Sequence, residues 1–355
     1  MKKSHLKARK DIYAVAKRAR VSPSTVSRVM NDVPSVGTKL AARVREAARE
    51  LNYQPNIQAR SLGSGRTRLI GLIITDITNP FFPDMVRSFE LTAVGHGYEI
   101  LMASLSDDPA SVDRCMKRML ERRVDGIAAM TFGVEKPILE HLSARPVPIV
   151  FVNFDASLRI SASLTVNYQH GIRQAVQHLA VLGHRDIGFL AGPLHEKVVV
   201  ERLRAFQASM AEIGIEVPKK WILEGDYTLE GGITVTEKLL RQSHQPTAMI
   251  CLNDLSAIGV LHAVMNQGLM VPDYLSVIGF DNIRLAAYTY PPLTTVDMPR
   301  DELAVSAVQA LISMIEGGVA PPRKEITTQL VVRRTTGTPR LARLTPPRGP
   351  RIVTV

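Results

Sequence analysis

A chain of 355 residues exceeds the roughly 150 residues of an average domain, so we expect two or three packed units. Its net charge of +11 is uneven: residues 1–68 hold 16 Lys and Arg against 4 Asp and Glu, as is typical of phosphate binding. Two cysteines argue against a disulfide framework, and no metal-ligand cluster, signal-peptide run or membrane span is found in the sequence. We therefore expect a cytosolic chain without metal, cofactor or membrane partner.

The first organised stretch predicts two short helices. Apolar residues recur at helical spacing at Ile12, Val15, Ala16 and Ala19. This spacing predicts a first helix that ends near Ala19. After a tight turn, Ser22 can accept a hydrogen bond from the free amides that begin a second helix, and Pro23 suits its first position. The inner face of this helix carries Val26, Val29 and Met30. Its outward face carries Pro23, Ser24, Thr25, Ser27 and Arg28. This layout predicts a helix-turn-helix whose second helix enters a major groove.

A third helix is predicted from residue 39 to about 52, with Thr38 as its cap. The apolar side chains expected to close the small core are Leu40, Val44, Ala47, Ala48 and Leu51. Asn56 can cap the segment 57–62, which is too short to be a stable helix alone. We thus predict a headpiece over residues 1–62 with a hinge at 56–62, followed by a glycine-containing linker at 63–68.

From residue 69 onward, apolar runs without polar alternation predict parallel strands that are covered on both faces. These runs are residues 69–75, 98–104, 126–130, 148–153, 187–191, 248–252 and 276–280. We expect two doubly wound lobes within residues 69–338. The first would hold residues 69–166 and about 297–322, and the second residues 167–296 and about 323–338. Residues 339–355 are rich in Pro and Arg, and they predict a disordered basic tail.

Three sequence blocks resemble the lactose/galactose repressor family of bacterial transcription factors. They are VSPSTVSRVMN at 21–31, AARELNYQPN at 47–56 and ARSL at 59–62, and the similarity continues to about residue 336. The resemblance implies an all-α helix-turn-helix headpiece with a hinge helix, followed by a periplasmic-binding-protein-like α/β core of two lobes. It also implies a homodimeric regulator that binds palindromic double-stranded operator DNA and a small effector between the lobes.

The outward side chains of the headpiece are the candidate DNA contacts. Arg28 can bond guanine bidentately, and the alternative is a phosphate contact. Thr25 and Ser27 are expected to bind phosphate oxygens. In the resembling family, the leucine at position 62 wedges into the minor groove, whereas packing on the first lobe is the alternative. The full set of predicted DNA-binding residues is Pro23, Ser24, Thr25, Ser27, Arg28, Asn31, Asn56, Ala59 and Leu62.

Candidate effector residues follow the predicted strands, because ligands of open parallel sheets bind beyond the strands' carboxyl ends. Arg202 matches the family arginine that holds ligand hydroxyls or charge, and Asp281 can accept hydrogen bonds from vicinal hydroxyls. Phe82 either lines the site or caps the lobe, and Asp254 either contacts ligand or caps a helix. The full set of predicted effector residues is Asn79, Phe81, Phe82, Asn153, Arg202, Tyr227, Asn253, Asp254 and Asp281.

The favoured function is a DNA-binding transcriptional regulator, a repressor, controlled by a sugar or sugar derivative. The runner-up is a regulator whose ligand acts as corepressor, such as a purine sensor. A solute-binding protein would explain the lobes but requires a signal peptide. An enzyme would require a nucleophile or cofactor motif, and none is found; the stretch Gly183-His184-Arg185 is expected to close a helix and tie the next strand. Tetramers of the resembling family use a C-terminal helix with a leucine heptad, and the tail here shows no such pattern, so the resemblance implies a homodimer.

Overall fold

The computed structural model describes residues 11–30, 36–53, 66–105, 108, 110–131, 135–142, 147–154 and 161–340. The chain divides into two units, Met1–Arg68 and Leu69–Val355. Within the described ranges, no helix is both long enough and apolar enough to cross a membrane.

The first unit is a three-helix domain with α1 at Ile12–Ala19, α2 at Pro23–Met30 and α3 at Thr38–Glu50. Val15, Val26 and Val44, one from each helix, are completely buried and form the centre of its core. This confirms the helical spacing read from the sequence. The Asp11 side chain accepts a hydrogen bond from the amide of Ala14 at 3.0 Å and so caps α1.

Two details of α3 differ from the prediction. Gly37 is the N-cap residue, without a side-chain bond, and Thr38 is already helical, because the helix begins one residue earlier than the cap pattern suggested. Leu40 is only partly buried, and Ala41 takes its place in the core. The predicted hinge at 56–62 lies outside the described residues.

The second unit contains two six-stranded sheets. The strands in chain order are β1 Leu69–Ile74, β2 Glu99–Ser104, β3 Gly126–Met130, β4 Ile149–Val152, β5 Ser161–Asn167, β6 Ile187–Ala191, β7 Ile222–Glu224, β8 Ala248–Cys251, β9 Ser276–Asp281, β10 Thr294–Asp297, β11 Lys324–Thr327 and β12 Gln329–Val331. The first sheet has the order β11-β5-β4-β3-β1-β2, and all its pairs are parallel. The second has the order β12-β10-β9-β8-β6-β7, and only β12 is antiparallel.

Helices cover these sheets and complete two doubly wound lobes. Their bounds are α4 Phe81–Gly95, α5 Ser111–Glu121, α6 Glu135–Leu142, α7 Tyr168–Val181, α8 Lys197–Glu212, α9 Leu229–Leu240, α10 Asp254–Asn266 and α11 Arg300–Gly317. Strands β3, β6 and β8 are buried at every residue, as their unbroken apolar sequences predicted. Helix α11 packs on α4 and β3 in the first lobe, to which the sequence analysis assigned it.

The chain passes between the lobes at three places: after β5, after β10 and after β11. The last crossing corrects the predicted lobe boundary, because β11 pairs with β5 in the first sheet and only the chain from Thr328 onward enters the second lobe. The buried hydroxyl of Thr328 donates to Asn167 O at 2.7 Å and accepts from Gly171 N at 3.0 Å. A Cβ on Gly171 would lie 2.3 Å from Val296 Cγ1, so glycine is needed where the crossings meet.

The C-terminal tail also begins later in the sequence than predicted. Arg340, which the sequence assigned to a disordered tail, lies with its guanidinium 4.1 Å from the Tyr274 ring centre and donates to the carbonyl oxygen of Tyr274. It also donates to Pro246 O at 3.3 Å. Stacking and hydrogen bonds therefore attach Arg340 to the second lobe; residues 341–355 lie outside the described part.

Candidate functional site

Helix α2 presents the first candidate surface. Ser22 precedes this helix, and its Oγ accepts a hydrogen bond from Thr25 N at 3.2 Å, as predicted, while lying 2.8 Å from Ser24 Oγ. Ser24 and Arg28 are exposed and four residues apart, so they share one helix face. Pro23, at the first position, and the outward-predicted Thr25 and Ser27 are only partly exposed. The exposed face therefore carries a hydroxyl and a guanidinium, which suit phosphate and base-edge contacts.

Thr25 is less free than the sequence suggested, because its hydroxyl lies 2.9 Å from Ser22 Oγ. Four of the predicted DNA contacts lie outside the described residues: Asn31, Asn56, Ala59 and Leu62.

The second candidate site is the crevice where the carboxyl ends of the two sheets meet. Hydrogen bonds between the lobes cross it. Lys197 at the start of α8 donates to Asn153 O, just after β4, at 3.1 Å. Arg300 at the start of α11 donates to Asn282 O, just after β9, at 2.9 Å. This strand-end position is where doubly wound sheets bind ligands.

Arg202 projects from α8 into this crevice and is 6% exposed. Its guanidinium carbon lies 4.5 Å from the Tyr168 ring centre and 4.1 Å from that of Phe280, a double cation–π arrangement. Nη1 donates to Leu252 O at 2.7 Å, while Nε is buried without a hydrogen-bond partner in the described structure. A buried donor of this kind is costly unless a ligand satisfies it.

Asp281 ends β9 and is 7% exposed, with a left-handed φ of 105°. Such a φ is uncommon for a residue other than glycine and is held here by the surrounding packing. Burial raises the pKa of Asp281 to about 7, against the opposing influence of the Arg202 and Arg300 guanidinium groups. The carboxyl group is therefore poised to change charge near neutral pH.

The loop before α4 contributes the first-lobe side of the crevice. Asn79 Oδ1 accepts a hydrogen bond from Phe81 N at 3.0 Å, so the asparagine shapes the loop. Phe81 and Phe82 form an edge-to-face pair with ring centres 5.2 Å apart, and both rings are buried in the core. The Phe81 ring centre also lies 5.9 Å from the Arg300 guanidinium carbon. Phe81 thus borders the crevice, whereas Phe82 packs in the core.

Other predicted effector residues are already engaged within the protein. Both Asp254 oxygens accept hydrogen bonds, from Ile283 N at 2.8 Å and Thr295 Oγ1 at 2.5 Å. Asn253, and not Asp254, caps α10 by accepting from Ser256 N, while its Nδ2 donates to Tyr227 O at 2.8 Å. Through these hydrogen bonds, both side chains hold strand ends together.

Tyr227 and Asn153 take strained positions at the crevice edge. Tyr227 has a φ of 67°, its ring lies against Gly192, and its hydroxyl donates to the Glu196 carboxylate. Burial, assisted by Glu196, raises the pKa of Tyr227. Asn153 has a φ of 51° and its side chain accepts from Val166 N at 2.6 Å. Of the two, Tyr227 keeps a half-buried aromatic ring beside the site.

Sequence reasoning missed two crevice residues, Tyr168 and Arg300. Tyr168 starts α7 directly after β5, and its hydroxyl is buried without a hydrogen-bond partner among the described residues. Strand β5 alternates polar and apolar residues, so no apolar run drew attention to the residue that follows it. Arg300 follows β10, which is only four residues long and was not predicted.

His184 has the structural role that was expected for it. It is completely buried, with Nδ1 2.8 Å from Thr247 Oγ1 and Nε2 2.9 Å from Gly337 O. These contacts tie the start of β6 to neighbouring strands and to the chain end. Burial lowers the pKa of His184 and favours its neutral form.

Comparison with known proteins gives the same two parts. Residues 11–56 match the family model described as bacterial regulatory proteins, lacI family, and residues 176–336 match a periplasmic binding protein-like domain. The chain is 36% identical over 301 residues to catabolite control protein A of Priestia megaterium, covering 84% of this chain and 91% of the relative. It is 35% identical over 326 residues to the HTH-type transcriptional repressor PurR of Escherichia fergusonii, covering 91% and 96%.

Solved structures agree with this similarity over nearly the whole chain. The lac repressor dimer bound to operator and the anti-inducer ONPF superposes with a TM-score of 0.83 at 29% identity, covering 92% of this chain and 99% of that one. The complex of the transcriptional regulator CelR with cellobiose gives a TM-score of 0.70 at 26% identity, covering 92% and 100%.

Proposed function

The chain belongs to the lacI family of bacterial regulatory proteins, and from this we propose which of its residues bind DNA and effector. It is a DNA-binding transcriptional repressor with an effector-binding core. One observation carries the proposal: a single chain joins a basic helix-turn-helix unit to a two-sheet unit whose strand ends enclose Arg202, and no described residue accepts a hydrogen bond from Arg202 Nε.

We assign operator binding to the exposed face of α2. Arg28 reads a base edge, and Ser24 contributes a shorter contact one helical turn away. The net charge of +12 over residues 1–68 supplies the sequence-independent attraction to phosphates. Asn31, Asn56, Ala59 and Leu62 remain predictions from the family resemblance, with Leu62 as the minor-groove wedge.

We assign effector binding to Arg202, Asp281 and the Asn79–Phe81 turn, with the Tyr227 ring at the edge. Arg202 brings a guanidinium held between two aromatic rings, and Asp281 brings a carboxyl group that accepts or donates according to its protonation. Asn253, Asp254 and Asn153 support the site by fixing strand ends, because their side chains are already bonded. Phe82 packs behind Phe81.

A homodimer is supported by apolar side chains exposed on each lobe. Leu91 and Val94 lie three residues apart on α4 and are 63% and 59% exposed. On the second lobe, Tyr288 and Tyr290 are 81% and 85% exposed. Large exposed apolar side chains grouped on a surface mark association sites. The lac repressor neighbour is itself a dimer on its operator.

Effector control works through the crevice and the three crossings between the lobes. A ligand that contacts both lobes favours one lobe arrangement only by its difference in affinity for the two arrangements. A typical coupling of about 1–3 kcal/mol changes operator affinity roughly 5- to 150-fold. The hinge segment 56–62, too short for a stable isolated helix, is the element through which we expect this coupling to reach DNA.

We further propose that the chain acts in the cytoplasm on nucleoid DNA and performs no catalysis. A second candidate, a corepressor mechanism with a purine ligand, is favoured by the 35% identity to PurR repressors. The sign of the response separates the two: an inducer lowers operator affinity, whereas a corepressor raises it.

The DNA assignment is tested with Arg28→Ala and, as a control of equal charge loss, Arg49→Ala, whose guanidinium is exposed on α3. Site selection should yield inverted half-sites, and Arg28→Ala should weaken selected-site binding by about 1–3 kcal/mol per half-site. Arg49→Ala should weaken selected and random DNA alike. Equal losses on both DNAs for Arg28→Ala would reassign Arg28 to phosphate, and a lone asymmetric half-site would overturn dimeric recognition.

A further inference from the structure

The crevice contains a second arginine, the partly buried Arg300, at the first position of α11. Resting on the effector role proposed above, we infer that the effector is a small polyhydroxylated molecule bearing a carboxylate group. In this inference, Arg300 and Arg202 each bind one oxygen of that carboxylate.

Arg300 is held at the crevice with one nitrogen unused. Its Nη2 donates to Asn282 O at 2.9 Å, and its guanidinium carbon lies 5.9 Å from the Phe81 ring centre. Nη1 lies 3.9 Å from Asp84 Oδ2, which is an ion pair but too long for a hydrogen bond. Nη1 is buried and has no hydrogen-bond partner in the described part of the chain, while the whole side chain is 13% exposed.

Arg202 repeats this pattern from the other side. Nη1 donates to Leu252 O at 2.7 Å, Nη2 lies 3.9 Å from Met298 Sδ, and Nε is buried without a hydrogen-bond partner among the residues that the structure describes. Met298 precedes Arg300 by two residues, and both guanidinium groups act electrostatically on Asp281. Arg300 thus bonds the residue that follows Asp281, and each arginine keeps one N–H donor that no described residue satisfies.

The charges around these donors are unbalanced. Burial raises the pKa of Asp281 to about 7, so this carboxyl group is partly protonated at neutral pH. Asp84 is 32% exposed and reaches Arg300 only at 3.9 Å. Asp254 is buried, but its oxygens already accept from Ile283 N and Thr295 Oγ1. The buried Arg202 and the partly buried Arg300 thus lack full charge compensation, and an anionic ligand would supply it.

The unsatisfied groups also indicate which anion fits. Arg202 Nε and Arg300 Nη1 can only donate, so a ligand that satisfies them must bring acceptors. A neutral sugar hydroxyl can accept, but a hydrogen bond between a guanidinium and a charged oxygen is about twice as strong. Because each guanidinium offers one free nitrogen, the pair matches the two oxygens of a carboxylate better than the three terminal oxygens of a phosphate ester.

The inference is tested by calorimetry on the purified full-length chain with matched sets of compounds. Each set contains a neutral sugar, its aldonate, its uronate and its 6-phosphate, starting from glucose and galactose, and hypoxanthine is included separately. We expect at least one sugar acid to bind about 10- to 100-fold more tightly than its neutral parent, as about 1.5–3 kcal/mol for a hydrogen bond to a charged group implies. The same acid should change operator affinity in gel shifts.

Three variants connect this preference to Arg300. Arg300→Gln should remove most of the preference for the acid, and Arg300→Lys should restore part of it by returning the charge. Arg173→Gln is the matched control, because Arg173 is half-exposed on α7 and pairs with Glu212 at 2.9 Å. The control should bind the acid as the unmodified chain does.

The inference is overturned if none of the acids binds, if neutral sugars, 6-phosphates or hypoxanthine bind better, or if Arg300→Gln binds the acid normally. In each of these cases, the proposed function survives if the selected operator is still bound and responds to any ligand in an Arg202-dependent way. Failure to select an inverted-repeat operator would instead overturn the proposed function, whatever the ligand result.

Discussion

Replacing Arg202 with alanine should have two separable effects, because this guanidinium packs between two aromatic rings and is also a proposed effector contact. The substitution removes the donor to Leu252 O and empties the space between the Tyr168 and Phe280 rings. It also removes the positive charge that lowers the pKa of Asp281, so that pKa should rise further and Asp281 should stay protonated to higher pH.

The size of the stability loss follows from these contacts. An unmet buried carbonyl costs about 1–3 kcal/mol, and each desolvated cation–π contact about 1–2 kcal/mol. Part of this is offset because the buried, unpartnered Nε disappears as well. We expect a net loss of about 2–4 kcal/mol, which corresponds to a fall in the thermal midpoint of the core of roughly 5–10 °C.

Differential scanning calorimetry and ligand calorimetry together measure both effects. Arg204→Ala is the control, since Arg204 lies two residues along the same helix and is exposed. Arg202→Ala should lose effector binding while operator binding without effector survives below the lowered midpoint. An unchanged midpoint combined with normal effector binding would falsify the assignment of Arg202 to the crevice.

Three further outcomes are expected. The folded chain keeps a proton on Asp281 up to about pH 7, whereas an unfolded aspartate releases it near 3.8. The contribution of this group to the free energy of unfolding therefore falls as pH rises between those values. Asp281→Asn should abolish that fall in urea titrations. His184 has the opposite pH dependence, because its lowered pKa means that the unfolded chain takes up the proton first below 6.5, so stability is lost on acidification. His184→Gln should reduce that loss. It should also lower the overall stability by about 1–3 kcal/mol, because it disrupts buried hydrogen bonds. Light scattering should give about twice the 39.1 kDa chain mass, and Leu91→Asp should shift it toward one chain; a stable tetramer would contradict the dimer.

The parts of the fold that the sequence predicted correctly are those specified by local pattern. Helices α1 and α2 follow from apolar spacing and from Ser22 beside Pro23, since capping and helix faces involve residues only a few positions apart. Central strands such as β3 and β6 were located to the residue, because strands buried on both faces must be apolar throughout. The family resemblance and the rule for strand ends also predicted Arg202 and Asp281 as effector residues; the structure places both side chains at the crevice, and their effector contact stays a proposal.

What the sequence could not determine depends on partners far along the chain. Strand β5 alternates polar and apolar residues, and the edge strand β11 carries charges. They are strands because they pair with each other across 160 residues of sequence, and β5 also pairs with β4. Asp254 is hydrogen-bonded within its own lobe because Ile283 and Thr295, distant in sequence, supply its donors. In the sequence, Arg300 resembles any charged residue at a helix start, and only the packed structure places it beside Phe81 and Asn282. Burial and unmet hydrogen bonds are properties of the packed chain, so only the tertiary structure reveals the second cation of the crevice.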